Sequence, residues 1–172
     1  DSLAHRLYIL QYFCDGFNGS AALGQRFMTE PETGKARISG SLAALCGIEK
    51  AVSENNCNEI YLAVKRINLQ HAIILSLGGL PMIYSGDEIA TPNNYAYLED
   101  KSKKYDNRWL HRPKMPWNIA ATRKDPTTVA GKVFKALTHL GQVRAALPSL
   151  HASVATHVEV PGQPSVVMFT RR

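Results

Sequence analysis

A short apolar segment that ends in a glycine and two carboxylates constrains the fold of this chain more than any other feature. Residues 80–84 read Leu-Pro-Met-Ile-Tyr, and Ser85 and Gly86 then lead into Asp87 and Glu88. Such a run predicts a buried strand, and parallel α/β folds place their chemistry where strands of this kind end. Because the run is apolar on both faces, it needs parallel neighbours, which this sequence does not offer. We therefore expect the segment to belong to a larger sheet.

The bulk composition is that of one globular domain. The chain has 172 residues, of which 45% are hydrophobic and 20% are charged, and its formal net charge is +6. These values are typical of a folded domain. The basic residues cluster near residues 101–104 and at 171–172 and form no continuous stripe interleaved with aromatic residues, so we expect no nucleic-acid partner. The longest apolar stretch, residues 72–80, is about half of the roughly 20 residues that a bilayer span needs. We therefore expect no membrane partner.

The cysteines indicate a reducing compartment. Cys14, Cys46 and Cys57 are odd in number and form no C-x-x-C pair, which disfavours both a zinc site and a disulfide framework. We expect free thiols and hence a cytoplasmic location. The chain begins Asp-Ser-Leu-Ala-His-Arg, without an initiator methionine or the pattern of a signal peptide. We therefore expect it to be cut from a longer polypeptide.

Periodicity and turn residues predict the order helix, loop, two helices, strand, long loop, helix and β-hairpin. The predicted helices cover residues 3–14, 40–54, 58–77 and 125–147, and the predicted strands cover residues 80–84, 151–160 and 165–170. Ser39 and Asn58 are the predicted N-caps of the second and third helices. Residues 17–38 are predicted to form an ordered loop, and the length of the segment 85–126 indicates a functional loop or a small subdomain.

Three motifs carry a resemblance to a known family. Residues 78–88 read Gly-Gly-Leu-Pro-Met-Ile-Tyr-Ser-Gly-Asp-Glu, which is similar to the pattern G-x-P-x-x-Y-x-G-x-E of the eighth barrel strand in the α-amylase superfamily, glycoside hydrolase family 13. Residues 106–113 (Asp-Asn-Arg-Trp-Leu-His-Arg-Pro) and 33–40 (Thr-Gly-Lys-Ala-Arg-Ile-Ser-Gly) make the chain resemble most the amylosucrases, sucrose hydrolases and related sucrose-acting members. The resemblance covers nearly all of the chain.

The resemblance implies an α/β fold that is the C-terminal part of a (β/α)8 TIM barrel. Residues 1–147 would hold the end of the catalytic barrel, mostly helical as cut, with strand eight and an inserted subdomain over about 87–124. Residues 148–172 would hold the first strands of an antiparallel β-sandwich. The family's catalytic Asp, Glu and His-Asp motifs are absent from this sequence. We therefore expect no catalytic residue in this segment and no turnover by it alone.

The activity that the resemblance implies is retaining α-glucoside chemistry by double displacement. Sucrose would be cleaved, and the glucosyl group would pass to an α-glucan or to water. The implied partners are sucrose, an α-glucan and the missing N-terminal part of the barrel, with no cofactor and no metal. An α-glucosidase or a trehalose-forming glucosyl isomerase is an alternative, because both share the strand signature and a loop like Arg112-Pro-Lys-Met-Pro-Trp117. A non-catalytic carbohydrate-binding or interaction module is the alternative from another class.

Two arginines match substrate-binding positions of the family. Arg108 matches the arginine that reaches the glucosyl subsite, where it would pair with a carboxylate from an earlier part of the barrel. A pairing within its own loop is the structural alternative. Arg37 matches an arginine on the acceptor side of the amylosucrases, and a solvated loop charge is its alternative.

The remaining candidates lie in the same loop region. Asp87 is expected near the substrate edge, and Glu88 is expected to be a structural acid that holds the loop. Trp109 and Trp117 are expected either to stack on sugar faces or to anchor the loop. His71 lies on the apolar stripe of its predicted helix and is expected to be a core histidine with its hydrogen bonds satisfied.

Two further side chains have weaker expectations. Tyr84 ends the apolar run and is expected to pack in the core. His111 lies in the same loop as Arg108 but has no recognisable partner in the sequence.

Overall fold

Helices form most of the regular structure in this computed structural model, which describes residues 2–172. The helices are α1 (Leu3–Cys14), α2 (Leu42–Leu45), α3 (Ile48–Ser53), α4 (Cys57–Ser76), α5 (Trp117–Ala121) and α6 (Val129–Ala146). The strands are β1 (Gln25–Phe27), β2 (Arg37–Ser39), β3 (Thr156–Glu159) and β4 (Met168–Arg171), and short 3-10 helices cover Asp87–Ile89, Tyr95–Glu99, Asn107–His111 and Pro148–Leu150. Within the described residues, no helix combines the length and the apolar character that a membrane crossing requires.

The main core lies between α4 and α6. Ile67 and Val133 are completely buried there, and Ala63 and Leu137 pack beside them. Val64 and Ile67 from the apolar stripe that predicted α4 pack in this core, because residues three and four apart share one side of a helix. Ile74 from the same stripe is exposed instead. His71 is buried on the same face, and its Nδ1 lies 3.0 Å from the carbonyl oxygen of Ile67, as expected of a core histidine.

Capping residues set the starts of the helices, with two shifts from the prediction. Asn56 rather than Asn58 caps α4, and Ser41 rather than Ser39 caps α2. Ser39 lies in β2 instead, and its hydroxyl donates to the carbonyl of Asn107. The single helix predicted over residues 40–54 is divided into α2 and α3 at Gly47, whose φ of +97° lies in the left-handed region that favours glycine.

The structure has a hairpin inside the segment predicted to be a loop. Strands β1 and β2 pair antiparallel, with Gln25 opposite Ser39 and Phe27 opposite Arg37. Each strand has only three residues, which is too short for an alternating pattern to be recognised in the sequence. By contrast, the C-terminal hairpin formed by β3 and β4 is paired antiparallel as predicted.

The strand predicted over residues 80–84 is not formed, and this prediction was wrong for the chain as described. The segment pairs with no strand, and the side chains of Leu80 and Met82 are 86% and 82% exposed. Tyr84 is also exposed rather than packed in a core. A strand exists only where a neighbour satisfies its backbone groups, and both sheets within residues 2–172 are antiparallel pairs located elsewhere. The barrel, the β-sandwich and the domain boundary at residue 147 therefore stay predictions.

Two arginines join the C-terminal hairpin and α6 to the end of α4. Arg144 donates to the carbonyls of Leu75, Leu77 and Gly79, the last at 2.8 Å. Arg171 in β4 donates to the carbonyl of Ser76. The last carbonyls of a helix have no partner within the helix, and here guanidinium groups satisfy several of them.

A buried and an exposed apolar residue on α4 test this description of the core. We expect Ile67→Ala to lower the free energy of unfolding by about 2–5 kcal/mol, because it leaves a cavity at a fully buried site. Leu69→Ala is the matched control on the same helix, and since Leu69 is 58% exposed, we expect a change within about 0.5 kcal/mol. Urea denaturation followed by circular dichroism measures both values, and equal losses would contradict the assignment of the core.

Candidate functional site

A cleft of about 250 Å³ lies beside the turn that follows residues 80–84. Three separate parts of the chain line it: residues 40–45 at the start of α2, residues 84–91, and residues 111–113. We call it the Asp87 cleft. It is lined by both Asp87 and His111, which come from different loops. Tyr84, at the end of the apolar run 80–84, also lines it.

The turn at the floor of the cleft requires a glycine and an acid. Gly86 has a φ of +101°, and a Cβ at this position would lie 2.8 Å from Oγ1 of Thr91. The backbone N–H of Gly86 donates to Oε2 of Glu88 at 2.7 Å. Glu88 therefore holds the turn with its own carboxylate, and Asp87 is the acid of the pair that lines the cleft.

Two polar groups of the cleft have unused hydrogen-bonding capacity. The carboxylate of Asp87 accepts no hydrogen bond from any residue that the structure describes, and Oγ1 of Thr91 is buried without a hydrogen-bond partner in the same part of the chain. Burial raises the pKa of Asp87, with a smaller contribution from Glu88, while His71 acts in the opposite direction. The Asp87 carboxylate is only partly buried and is therefore suited to accept from the hydroxyl groups of a ligand, whereas Oγ1 of Thr91 is enclosed by the protein and its missing hydrogen bond is a local cost.

A hydrogen-bond chain orients His111 at the edge of the cleft. The hydroxyl of Ser39 donates to the carbonyl of Asn107 at 2.8 Å, so its oxygen accepts from Nδ1 of His111 at 3.1 Å. The neutral ring then carries its proton on Nδ1, which leaves Nε2 as an acceptor. Burial lowers the pKa of His111, and the positive charge of Arg112 lowers it further.

The two arginines assigned by resemblance lie outside this cleft but near each other. Arg108 forms a two-point ion pair with Asp106 in its own loop, with Nε–Oδ1 and Nη2–Oδ2 distances of 2.8 and 2.7 Å. Its guanidinium carbon also lies 5.3 Å from the ring centroid of Phe27. Arg37 is exposed on β2 directly opposite Phe27. Because strand residues two apart share a face, Arg37 lies on the same face of β2 as Ser39, the partner of His111.

The two tryptophans have different surroundings. Trp109 is partly buried, and the Lys103 ammonium and the Arg112 guanidinium lie 5.2 and 5.9 Å from its ring centroid. These contacts anchor the loop. Trp117 begins α5 and is 77% exposed. Loop contacts are thus shown for Trp109, whereas the ring of Trp117 is open to solvent.

Sequence reasoning missed the parts of the site that depend on distant partners. Thr91 has no sequence signal, since an unpaired hydroxyl is recognised only from its surroundings. Ser39 was predicted to be a helix cap, and His111 was noted without a partner. Ser39 lies three residues before α2, close to where a helix cap is expected. Nothing in the sequence indicates its hydrogen bond to His111, which is more than seventy residues away.

No model of a known protein family matches the chain. The chemistry of the cleft therefore has to be judged from its geometry. The carboxylate of Asp87 and Nε2 of His111 form a small polar set beside the ring of Tyr84, whose centroid lies 6.4 Å from that of His111. Oε2 of Glu88 accepts a hydrogen bond from the backbone N–H of Gly86. This set is suited to bind a ligand rich in hydroxyl groups, and it contains no second free carboxylate for acid–base work.

The pKa of His111 provides a test of this geometry. We expect His111 to titrate below an ordinary histidine, whose pKa is about 6.5, and Arg112→Gln to raise its pKa by removing a nearby positive charge. Lys101→Gln is the control for loss of one charge elsewhere in the loop. Histidine ring NMR signals followed against pH measure the effect, and an unchanged His111 pKa in Arg112→Gln would contradict the arrangement.

The same pKa shift has a defined effect on stability. Because the folded chain lowers the pKa of His111, the unfolded chain binds this proton first as the pH falls. The contribution of His111 is therefore fully present above about pH 6.5 and is lost as the pH falls towards the lower folded value.

Proposed function

We propose that this chain is the C-terminal part of a retaining α-glucoside-acting enzyme that cleaves sucrose and transfers the glucosyl group to an α-glucan or to water. One observation carries the proposal: the carboxylate of Asp87, which accepts no hydrogen bond from the described residues, and the ring of His111 line one cleft directly after the apolar run 80–84. The resemblance to the α-amylase superfamily assigns the carboxyl edge of a barrel to that position, which is where such folds bind their substrates.

In this proposal the cleft binds one sugar unit. Sugar hydroxyl groups donate to the Asp87 carboxylate and to Nε2 of His111. The exposed ring of Tyr84 offers an apolar surface to the carbon face of the sugar. Arg108 and Arg37 lie beyond the cleft, next to Phe27. We assign Arg108 to the glucosyl side and Arg37 to the acceptor side on the basis of the resemblance.

The bond-breaking groups of the proposed enzyme lie outside this sequence. Retaining chemistry needs a nucleophilic carboxylate and an acid about 5 Å apart on opposite sides of the scissile bond. Asp87 and Glu88 do not serve as this pair in the proposal, because only Asp87 lines the cleft, whereas Oε2 of Glu88 accepts from the backbone N–H of Gly86. The chain's own contribution is to bind and orient the sugar while carboxylates from earlier barrel strands cleave the bond.

Exposed apolar surface supports the barrel part of the proposal. Leu80, Met82 and Ile83 are exposed in the segment 80–84, and apolar side chains of α4 are also exposed. Contiguous exposed apolar surface marks a place where another surface binds. We propose that the preceding strands and helices of the barrel cover it, and that residues 80–84 become the eighth strand once they have a parallel neighbour.

We propose a cytoplasmic location and an enzyme that needs neither a cofactor nor a metal. Cys14, Cys46 and Cys57 are free thiols. Burial raises the pKa of Cys14 and of Cys46 to about 11 in each case, which keeps both protonated. Free thiols persist in reducing compartments. Double displacement by two carboxylates requires no further group.

Binding of neutral sugars by the full 172-residue chain tests the cleft. We expect sucrose and a maltooligosaccharide to shift backbone NMR signals of residues 84–91 and of His111. Asp87→Asn should weaken this binding by about tenfold or more, since a hydrogen bond to a charged group contributes about 1.5–3 kcal/mol. Glu32→Gln, which removes a carboxylate from an exposed loop, is the control.

The outcomes distinguish the candidate functions. Shifts confined to the cleft with sucrose support the proposal, whereas tighter binding of maltose or trehalose than of sucrose favours the α-glucosidase or the isomerase. Absence of any shift at the cleft contradicts sugar binding there.

A turnover assay tests the absence of catalytic groups. We expect the wild-type chain to release no fructose from sucrose, because the nucleophile and the acid lie outside the sequence. Enzymatic detection of fructose measures this. Release that is lost in Asp87→Asn would overturn the assignment and make Asp87 catalytic.

A further inference from the structure

A second cleft, of about 430 Å³, lies around Trp109. Pro113 borders both this cleft and the Asp87 cleft, so the two are neighbours. We call it the Trp109 cleft. We propose that it binds the anionic group of a small organic molecule, a phosphate or a carboxylate carried on a ring. This inference goes beyond the proposed function, which concerns neutral sugars in the Asp87 cleft.

The charge of the segment around the Trp109 cleft is strongly positive. Residues 99–114 contain six basic and three acidic side chains, and this surplus of three is half of the chain's formal net charge of +6. The basic residues are Lys101, Lys103, Lys104, Arg108, Arg112 and Lys114. This concentration in one segment is suited to attract a compact anion.

Internal ion pairs neutralise only part of this charge. Lys103 pairs with Asp100 at 2.7 Å, and Arg108 pairs with Asp106 at 2.7 Å. Arg112 and Lys114 both line the cleft, and neither forms an ion pair with any of the described residues. Two cationic groups that line the cleft therefore form no direct ion pair: Asp106 interacts with Arg112 only at longer range, and Asp100, which also lines the cleft, is paired with Lys103.

The chemistry of the two unpaired cations indicates the kind of anion. A guanidinium presents a planar fork that matches the two oxygens of a carboxylate or of a phosphate. The ring of Trp109 holds this group in place, since the guanidinium carbon of Arg112 lies 5.9 Å from the ring centroid. Lys114 adds a second donor group on the same wall.

The size and walls of the cleft indicate an organic ligand rather than a bare ion. Its volume lies within the range of about 300–1,000 Å³ that is usual for small-molecule sites. Trp109, Tyr97 and Pro113 provide apolar surface beside the cations. The hydroxyl of Tyr97 is occupied, because it donates to Oε1 of Gln25 at 2.9 Å. The cleft thus combines a cationic end with an apolar wall.

Tryptophan fluorescence of the full chain tests the proposal. Trp117→Phe removes the exposed indole, so that Trp109 is the remaining tryptophan. In this background we expect glucose 6-phosphate or glucuronate to change the emission and to bind at least tenfold more tightly than glucose. Raising the salt concentration should weaken the binding, since exposed charges are screened. Whichever of the two ligands binds more tightly identifies the preferred anionic group.

Three charge variants distinguish a specific anion-binding site from nonspecific electrostatic attraction of the anion. We expect Arg112→Gln and Lys114→Gln each to weaken binding by about three- to tenfold. Lys101→Gln removes the same charge from a residue that does not line the cleft and should have little effect. Circular dichroism melting curves check that all variants remain folded.

Some results would overturn the proposal. These are absence of binding by either anion, equal binding of inorganic phosphate and glucose 6-phosphate, or equal effects of the three variants. Failure here is distinguishable from failure of the proposed function, because Lys114→Gln should leave sucrose shifts at the Asp87 cleft unchanged, and Asp87→Asn should leave anion binding unchanged.

Discussion

The buried side chain of Asn93 is the interaction on which the arrangement of the site depends. Its Oδ1 accepts from the backbone N–H of Ser41 at 2.8 Å, and its Nδ2 donates to the carbonyl of Leu23 at 2.7 Å. Its own backbone N–H donates to Oε2 of Glu49 at 3.0 Å. One residue thereby joins three parts of the chain. Residues 40–45 and 84–91 are two of the three segments that line the Asp87 cleft. Their separation depends on these bonds, and a buried polar network of this kind is specific only when fully satisfied.

The two clefts influence each other through charge. Arg112 lies on the wall of the Trp109 cleft, and its positive charge lowers the pKa of His111, which lines the Asp87 cleft. An anion bound at Arg112 would neutralise that charge and raise the pKa of His111. The protonation of the sugar-binding histidine in the proposed function is thus linked to occupancy of the neighbouring cleft, and this linkage is reciprocal in free energy.

Local signals predicted the long helices well, whereas elements that depend on distant partners were missed. The bounds of α1 match the prediction, and the ends of α4 and α6 differ from their predicted ends by one to four residues. The agreement is good because hydrophobic periodicity and capping residues are local features of each helical segment. The hairpin of β1 and β2 was missed because its strands are three residues long. The strand over residues 80–84 was predicted from its apolar composition, but composition does not supply the neighbour that a strand needs.

The sequence by itself determined the helices of the core, the glycine turn at Gly86 and the presence of Asp87 beside it, since each depends on residues close together in the chain. Only the tertiary structure decided how His111 is oriented. Glu88 is occupied by a local backbone bond, whereas the orientation of His111 depends on Ser39, more than seventy residues away. Hydrogen bonds between distant segments leave no pattern in the sequence, because they are set by how helices and loops pack in three dimensions.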